Sequence, residues 1–119
     1  MVRPQRERWL GFRPRATIYK PAGVPAASLR VTRLDLDELE AMRLVDGEGL
    51  QQAEAAEQMR ISRSSVGRLL ESGRAKTVRA LTRGEALEIQ EGTAPINYHP
   101  QAGRFRGGGR GRGRMRGGD

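Results

Sequence analysis

A short stretch near the middle of the chain carries the residue types best suited to contact a nucleic acid. Residues 62–68 have the sequence SRSSVGR, so three hydroxyls and two arginines fall within seven positions. Arginine forms paired hydrogen bonds with phosphates and guanine edges, and serine hydroxyls bind phosphate oxygens. If this stretch begins a helix, its free backbone N–H groups attract phosphate as well. The residue types and their spacing therefore favour nucleic-acid binding.

The place of each side chain on the predicted helix separates base contacts from phosphate contacts. A recognition helix enters the major groove of DNA with its N-terminal half, so exposed residues near its start reach the base edges. These residues are Arg63, Ser64, Gly67 and Arg68. The residues expected to contact phosphates are Ser62, Ser65, Arg74, Lys76 and Arg79.

Catalytic and metal-binding chemistry finds little support in the sequence. The chain has no cysteine, which excludes disulfides, thiolate metal sites and cysteine nucleophiles. Its single histidine, His99, is followed by a proline and has no metal-ligand neighbours in sequence. The acids of residues 35–40 lie at a predicted helix start, where capping and the helix dipole explain them. We therefore expect no catalytic residues, no metal, no cofactor and no enzymatic activity.

Size and composition predict a small, soluble, basic protein. The chain has 119 residues and a formal charge of +8, with 22 basic and 14 acidic residues. That length fits one domain plus tails, and no apolar run is long enough to span a membrane. Nucleic acid is the leading class of partner for such a charge, so we expect a cytoplasmic, nucleoid-associated protein.

The positive charge is unevenly distributed along the chain. Residues 1–20 and residues 101–119 each carry +5, whereas residues 21–100 carry −2. Within that middle part, residues 35–57 hold eight acids and one base, and residues 60–83 hold seven bases and one acid. The excess charge therefore predicts non-specific affinity from two arms, while the basic block of the middle part predicts the specific contacts.

The first element that must support this block is a helix that begins at Asp35. Asp35 and Glu38 have the spacing of a capping box, and Gly47 and Gly49 end the helix. Its apolar residues recur every three positions and predict one inward face, formed by Leu36, Leu39, Met42 and Val45.

A second, short helix is predicted over residues 51–59, where small alanines allow close packing. The third helix covers residues 63–83, with Ser62 as its N-cap and Gly84 just after its end. Its predicted inward stripe consists of Val66, Leu69, Leu70, Thr77, Val78 and Leu81.

The remaining segments define the predicted domain boundaries. Residues 1–33 form a basic arm with a short strand at 16–19, partly packed on the core, and are otherwise irregular. Residues 34–92 form the folded domain, which closes with a short strand at 86–90. Residues 93–119 are predicted to be a disordered tail rich in arginine and glycine.

A helix, a short second helix, a tight turn and a long basic helix form the plan of a helix-turn-helix domain. The expected fold class is therefore mainly α, with a three-helix core and short flanking strands. Together with the arginines at the start of the third helix, this plan predicts sequence-specific binding of duplex DNA, as in a transcriptional regulator.

About three quarters of the chain resembles an uncharacterised prokaryotic family, "domain of unknown function 134". The matching residues lie in 20–23, 36–44, 46–50, 54–56, Met59, 62–63, 74–76 and 80–87. The resemblance implies a DNA-binding protein whose helix-turn-helix is similar to region 4 of the principal bacterial sigma factors.

Two positions depart from the family's pattern. The family usually has glycine where this chain has Arg60, at a turn that often needs a positive φ, and arginine adopts it at a cost of about 1 kcal/mol. The family also tends to place serine at the cap of the second helix, where this chain has Gln51.

Alternative functions follow from the charged segments. The tail repeats Arg-Gly steps, a composition typical of flexible nucleic-acid binders, and could equally serve only solubility. Its arginines are Arg104, Arg106, Arg110, Arg112, Arg114 and Arg116. An RNA-binding protein led by this tail is one alternative.

A protein-interaction module that docks a basic partner on the acidic block of residues 35–57 is another alternative, with the helix-turn-helix as scaffold. A homodimer is common where one helix reads too few bases, so a second copy is also a candidate partner.

Overall fold

Three helices and five short strands make up residues 6–104, the part of the chain that the computed structural model describes. The strands are β1 (Arg8–Leu10), β2 (Ile18–Tyr19), β3 (Val31–Asp35), β4 (Ala86–Gln90) and β5 (Ile96–Tyr98). The helices are α1 (Leu36–Met42), α2 (Gln52–Met59) and α3 (Arg63–Arg83). A π-helical turn over Arg43–Gly47 continues α1, and single 3-10 turns lie at Ala26–Ser28 and Pro100–Arg104.

The three helices form the crossover between two parallel strands. Strands β3 and β4 pair in parallel, and β2 adds to the other edge of β4 in the antiparallel direction, giving the order β2-β4-β3. Strands β1 and β5 form a separate parallel pair. The helical unit is therefore held at both ends by one small sheet.

The capping box predicted for the first helix is confirmed. Glu38 Oε1 accepts a hydrogen bond of 2.9 Å from the backbone N–H of Asp35, the N-cap residue. The predicted inward face is only partly right, because Leu36 is buried while the other three residues of that face are half-buried. The helix instead turns Ala41 and Leu44 fully into the core.

The core lies between the three helices. Its buried members are Ala41, Leu44, Ala55, Ala56, Met59, Val66 and Leu70. The two alanines of α2 let that helix approach α3 closely, as predicted, and α2 also contacts the π-helical turn that continues α1. A second close approach lies where α3 crosses α1, since a Cβ added to Gly73 would come within 2.8 Å of Met42 Sδ.

The turn between α2 and α3 has the left-handed residue expected from the sequence. Arg60 adopts φ 59° and ψ 42°. The N–H of Ile61 donates to Ala56 O at 3.1 Å, which closes the end of α2 in the manner of a Schellman motif. This conformation costs a non-glycine residue free energy, which a contact that stabilises Arg60 can offset.

The N-terminal arm supplies that contact. The Arg60 guanidinium lies 4.1 Å from the centroid of the Trp9 ring, a cation–π interaction. The Trp9 ring lies 5.3 Å from His99, whose Nε2 is 2.8 Å from Gln58 O at the end of α2. The arm therefore contacts the end of α2 through Trp9, and strands β1 and β5 brace the turn.

The inward stripe predicted for α3 is wrong in its second half. Val78 and Leu81 are 57% and 75% exposed, whereas Val66 and Leu70 are buried. The reason is that the second half of α3 extends past the core and packs on the sheet through a narrow face around Ala80, which is buried.

Three strands, β1, β3 and β5, were not expected from the sequence, and β1 lies in the part of the arm that we predicted to be irregular. Strand β3 lies in residues that we predicted to be irregular, although Thr32 and Leu34 are buried alternately with exposed neighbours. Strand β5 lies within the segment assigned to the tail, so folded structure extends past residue 93. A three-residue strand is too short to show periodicity in sequence.

We predict that Gly92→Ala lowers the free energy of unfolding by about 3 kcal/mol. Gly92 has φ 80°, and a Cβ there would lie 2.7 Å from Asp35 Cγ, at the cap of α1. Gly23 is the matched control, with φ 80° and nothing within 4 Å of an added Cβ, so Gly23→Ala should cost about 1 kcal/mol. Urea unfolding measures both, and equal losses would contradict the steric role of Gly92.

Candidate nucleic-acid interface

A cluster of serine hydroxyls caps the start of α3. Ser62 Oγ accepts a hydrogen bond from the N–H of Ser65 at 3.1 Å, as expected of an N-cap. The same oxygen lies 2.8 Å from Ser65 Oγ and 3.2 Å from Ser64 Oγ. Three hydroxyls therefore meet at the positive end of a 21-residue helix, an arrangement suited to a phosphate oxygen.

Three of the four predicted base-contacting residues are exposed beside this cluster. Arg63, Ser64 and Arg68 all face solvent. Neither arginine forms an ion pair within the described residues, and Arg68 Nη2 donates only to Ser65 Oγ at 3.3 Å. Both guanidinium groups are therefore available to an acceptor outside the protein.

Gly67, the fourth predicted base contact, lies on a different flank of α3. It is half-buried, and a Cβ added there would lie 3.4 Å from Gln52 Oε1. Gly67 therefore faces the start of α2 and allows the two helices to approach closely. Nearby, the N–H of Gln51 donates to Glu54 Oε1 at 2.8 Å, which supports the cap of α2 despite the missing serine.

The cations predicted to contact phosphates further along α3 differ in their surroundings. Arg74 donates to both carboxylate oxygens of Asp46, at 3.1 and 2.8 Å, on the exposed surface. This hydrogen bonding holds the pKa of the Asp46 carboxyl below its usual range. Arg79 is half-exposed and has no ion pair among residues 6–104.

Lys76 is committed to a contact inside the protein. Its Nζ lies 2.9 and 3.0 Å from the two carboxylate oxygens of Glu38, whose side chain is only 6% exposed. Ser72 also donates to this carboxylate. Lys76 therefore joins α3 to the start of α1 within the protein itself, without a ligand.

Sequence reasoning missed that Glu38 belongs to a cluster of three buried carboxylates. Glu40 is 1% exposed and accepts from Arg43 Nε at 2.6 Å and from the N–H of Gly11 at 2.8 Å. Asp37 is 6% exposed and accepts from Arg8 Nε at 3.1 Å. The number of acidic residues was the available signal. Three acids follow the N-cap of α1, which is more than the capping of a helix requires.

Burial and a hydrogen bond from a cation act in opposite directions on the pKa of a carboxyl group. Burial raises the pKa of the Asp37 carboxyl, and the hydrogen bond from Arg8 only partly offsets this. The hydrogen bond to Glu40 raises the pKa of Arg43, which keeps its charge firmly in place. The cluster therefore binds three cations tightly within the protein and leaves little negative charge at the surface.

The acidic block of residues 35–57 is mostly used inside the molecule. Seven of its eight acids form a hydrogen bond or ion pair with another described residue. The basic block keeps five arginines without an acidic partner in residues 6–104, namely Arg60, Arg63, Arg68, Arg79 and Arg83. The unpaired positive charge of this block therefore comes from arginines, two of which lie at the start of α3.

The part of the chain that the structure describes has neither a metal-binding cluster nor a membrane-spanning helix. Among residues 6–104, no three histidine or acidic side chains meet in a way that could hold a metal ion. None of the helices described is long and apolar enough to cross a membrane. The predicted tail contacts at Arg106, Arg110, Arg112, Arg114 and Arg116 lie outside the described residues, as does the side chain of Arg104.

We predict that Lys76→Ala lowers the free energy of unfolding by about 3 kcal/mol, because it leaves Glu38 buried without its cation. The matched control is Arg79→Ala, which removes the same charge one turn later and should cost less than about 0.5 kcal/mol. Thermal and urea unfolding measure both. A Lys76→Ala variant as stable as Arg79→Ala would show that the Glu38 pair does not hold α3 in place.

Comparison with known proteins gives one consistent family. The model of a protein family of unknown function, DUF134, matches residues 1–97. A UPF0251 protein of Thermoanaerobacter pseudethanolicus is 41% identical over 103 residues, covering 87% of each chain. A UPF0251 protein of Dehalococcoides mccartyi is 44% identical over 100 residues, covering 84% of this chain and 86% of that one.

A longer relative covers the same region. The UPF0251 protein of Chlorobium chlorochromatii is 45% identical over 91 residues, which are 76% of this chain and 51% of that protein. No solved structure matches the chain. The extent of the family match and the identities over most of the chain show that this protein belongs to the DUF134 family, the UPF0251 proteins.

Proposed function

We propose that this protein binds duplex DNA sequence-specifically through the first half of α3 and regulates transcription. The observation that carries the proposal is the start of α3, where Arg63, Ser64 and Arg68 are exposed beside the hydroxyl cluster of the cap. In this proposal α2 and α3 act as a helix-turn-helix similar to region 4 of bacterial sigma factors.

The arrangement of α2 supports the proposal. Helix α2 has eight residues, and only two residues with Arg60 in the left-handed conformation separate it from the cap of α3. A short bracing helix joined by such a tight turn is typical of helix-turn-helix domains. The contact of Trp9 with Arg60 stiffens the turn, so the first half of α3 is held in a fixed position relative to α2.

Electrostatics also support DNA over a basic protein partner. A docking surface for a basic partner needs exposed, unpaired carboxylates, yet most acids of residues 35–57 are paired within the molecule. The arginines at the start of α3 are among the charged groups left without an acidic partner in residues 6–104. Such groups favour guanine edges and phosphates.

The proposal assigns a role to five of the six cations of α3 and to two serines at its start. Arg63 and Arg68 contact bases, Ser62 and Ser65 contact phosphates, and Arg79 meets the DNA backbone further along. Arg74 joins them only by exchanging Asp46 for a phosphate, a small cost because this ion pair is exposed. Lys76 stays with Glu38 and positions the helix.

We predict that Arg63→Ala and Arg68→Ala each weaken binding to a selected target duplex by about 5- to 100-fold, the usual value of one bidentate base contact. The matched control is Arg30→Ala, an exposed arginine on the opposite part of the molecule. It removes the same charge and should change affinity by about twofold or less. Fluorescence anisotropy at fixed salt measures all three, and equal losses would reject the recognition helix.

Competition with single-stranded RNA extends this test to the other functions. The proposal predicts that an unlabelled target duplex displaces the labelled duplex far better than single-stranded RNA of the same length. Stronger displacement by RNA would favour an RNA-binding protein, and no binding of the labelled duplex in the first place would favour a protein-interaction module.

We predict that the tail adds only non-specific affinity. Replacing the five arginines after residue 105 by glutamine should weaken binding to all duplexes alike and flatten the slope of log K against log salt by about 4.5. Titrations of a target and a scrambled duplex between low and near-physiological salt measure this slope. An unchanged slope would show that the tail does not touch DNA.

A further inference from the structure

A shallow apolar groove lies at the far end of α3 from the proposed DNA contacts. It has a volume of about 230 Å³ between the last turns of α3, strand β2 and strand β4. Its apolar walls are formed by Tyr19, Pro21, Ala80, Leu81 and Leu87. Tyr19 and Leu81 are exposed on its rim, and Val78 lies one helical turn before Leu81.

The exposure of these side chains is high for a folded domain. Leu81 is 75% exposed, Val78 57% and Tyr19 56%. Large apolar side chains that cluster on a surface mark an interaction site more often than isolated ones do. The apolar residues at 78 and 81 keep the helical spacing of a buried face, yet nothing in residues 6–104 covers them.

We propose that this groove is the contact between two copies of the chain, with each Leu81 inserted into the groove of the other copy. The Leu81 side chain and the groove lie side by side on one molecule, because Leu81 itself forms one wall of the groove. A two-fold axis between two such surfaces brings the Leu81 side chain of each copy to the groove of the other copy. This is the requirement for a closed, symmetric dimer.

The charges around the groove are self-complementary as well. Lys20, whose Nζ donates to Val24 O at 2.6 Å, and Glu85, whose Oε1 accepts from Thr32 Oγ1 at 2.6 Å, both line it, so the face carries one cation and one anion. Across a two-fold axis the cation of each copy meets the anion of the other. A face with charges of only one sign would repel its own copy, and this face does not.

The position of the groove leaves the start of each α3 free. Seventeen residues of helix separate Ser64 from Leu81, a distance of about 25 Å along the axis. The groove itself is small, about 230 Å³, so we expect the contact to fall below the roughly 800 Å² per partner of a standard stable interface. We therefore expect a weak dimer, with a dissociation constant on the order of 100 µM in the absence of DNA.

Sedimentation equilibrium of the full chain, without DNA and at about 0.15 M salt, tests the proposal. This salt screens the mutual repulsion of two copies that each carry +8. Between about 10 µM and 1 mM protein, the average mass should rise from 13.2 kDa towards twice that value. A mass that stays at the monomer value over this range would overturn the proposal.

Two variants on α3 locate the contact. Leu81→Asp should raise the dissociation constant at least tenfold, because it places a charge in the apolar contact. Thr82→Asp is the matched control, since it adds the same charge at an exposed neighbour about 100° around the helix and should leave the constant unchanged. Dimerisation that both variants reduce equally would contradict this groove as the interface.

A third variant tests the groove side of the same contact. Tyr19→Ala removes one wall without adding charge, and it should weaken the dimer in the same direction as Leu81→Asp. Circular dichroism of each variant shows whether the fold is kept, which is expected because both side chains are exposed. These measurements use no DNA, so their failure would leave the proposed function untouched.

Discussion

Three buried carboxylates at the start of α1 are the constraint on which the rest of the molecule depends. A carboxylate removed from water needs a cation or hydrogen-bond donors, and each of these acids takes them from a different part of the chain. Asp37 takes Arg8 of β1, Glu38 takes Lys76 of α3, and Glu40 takes Arg43 and the backbone after β1. One helical turn thus determines where the N-terminal arm and α3 lie.

The same contacts explain how the proposed DNA-binding edge is held. Lys76 joins the middle of α3 to α1, while the arm continues from Arg8 to Trp9, which supports Arg60 at the turn before α3. The arm and the turn are therefore coupled through adjacent residues of one short strand. The basic N-terminal arm, which we predicted to pack partly on the core, is part of the fold from Arg8 to Gly11.

Local signals predicted the helices well because each helix end is encoded by a few neighbouring residues. The capping pair of Asp35 and Glu38, the cap Ser62 and the glycine after Arg83 lie where the sequence indicates, and strand β4 has its predicted bounds. Periodicity failed at Val78 and Leu81, because an apolar spacing shows that a face can be buried and not which surface covers it.

Long-range pairing accounts for what was missed in the fold and in the candidate site. Strand β1 pairs with β5 almost ninety residues later. A strand of three residues is too short to carry a sequence pattern that predicts such a pairing. The exposed arginines at 63 and 68 were predicted from residue type alone. By contrast, the partners of Lys76 and Arg74 depend on acids about thirty to forty positions away, so the sequence could not separate free cations from paired ones.

The most direct test of the central proposal is the selection of bound fragments from genomic DNA by the full chain at near-physiological salt. A protein that reads bases through the start of α3 should enrich one short sequence motif, since specific sites exceed non-specific binding by about 10³-fold or more. Enrichment with no shared motif would contradict sequence-specific recognition and leave only the charge of the arms to explain binding.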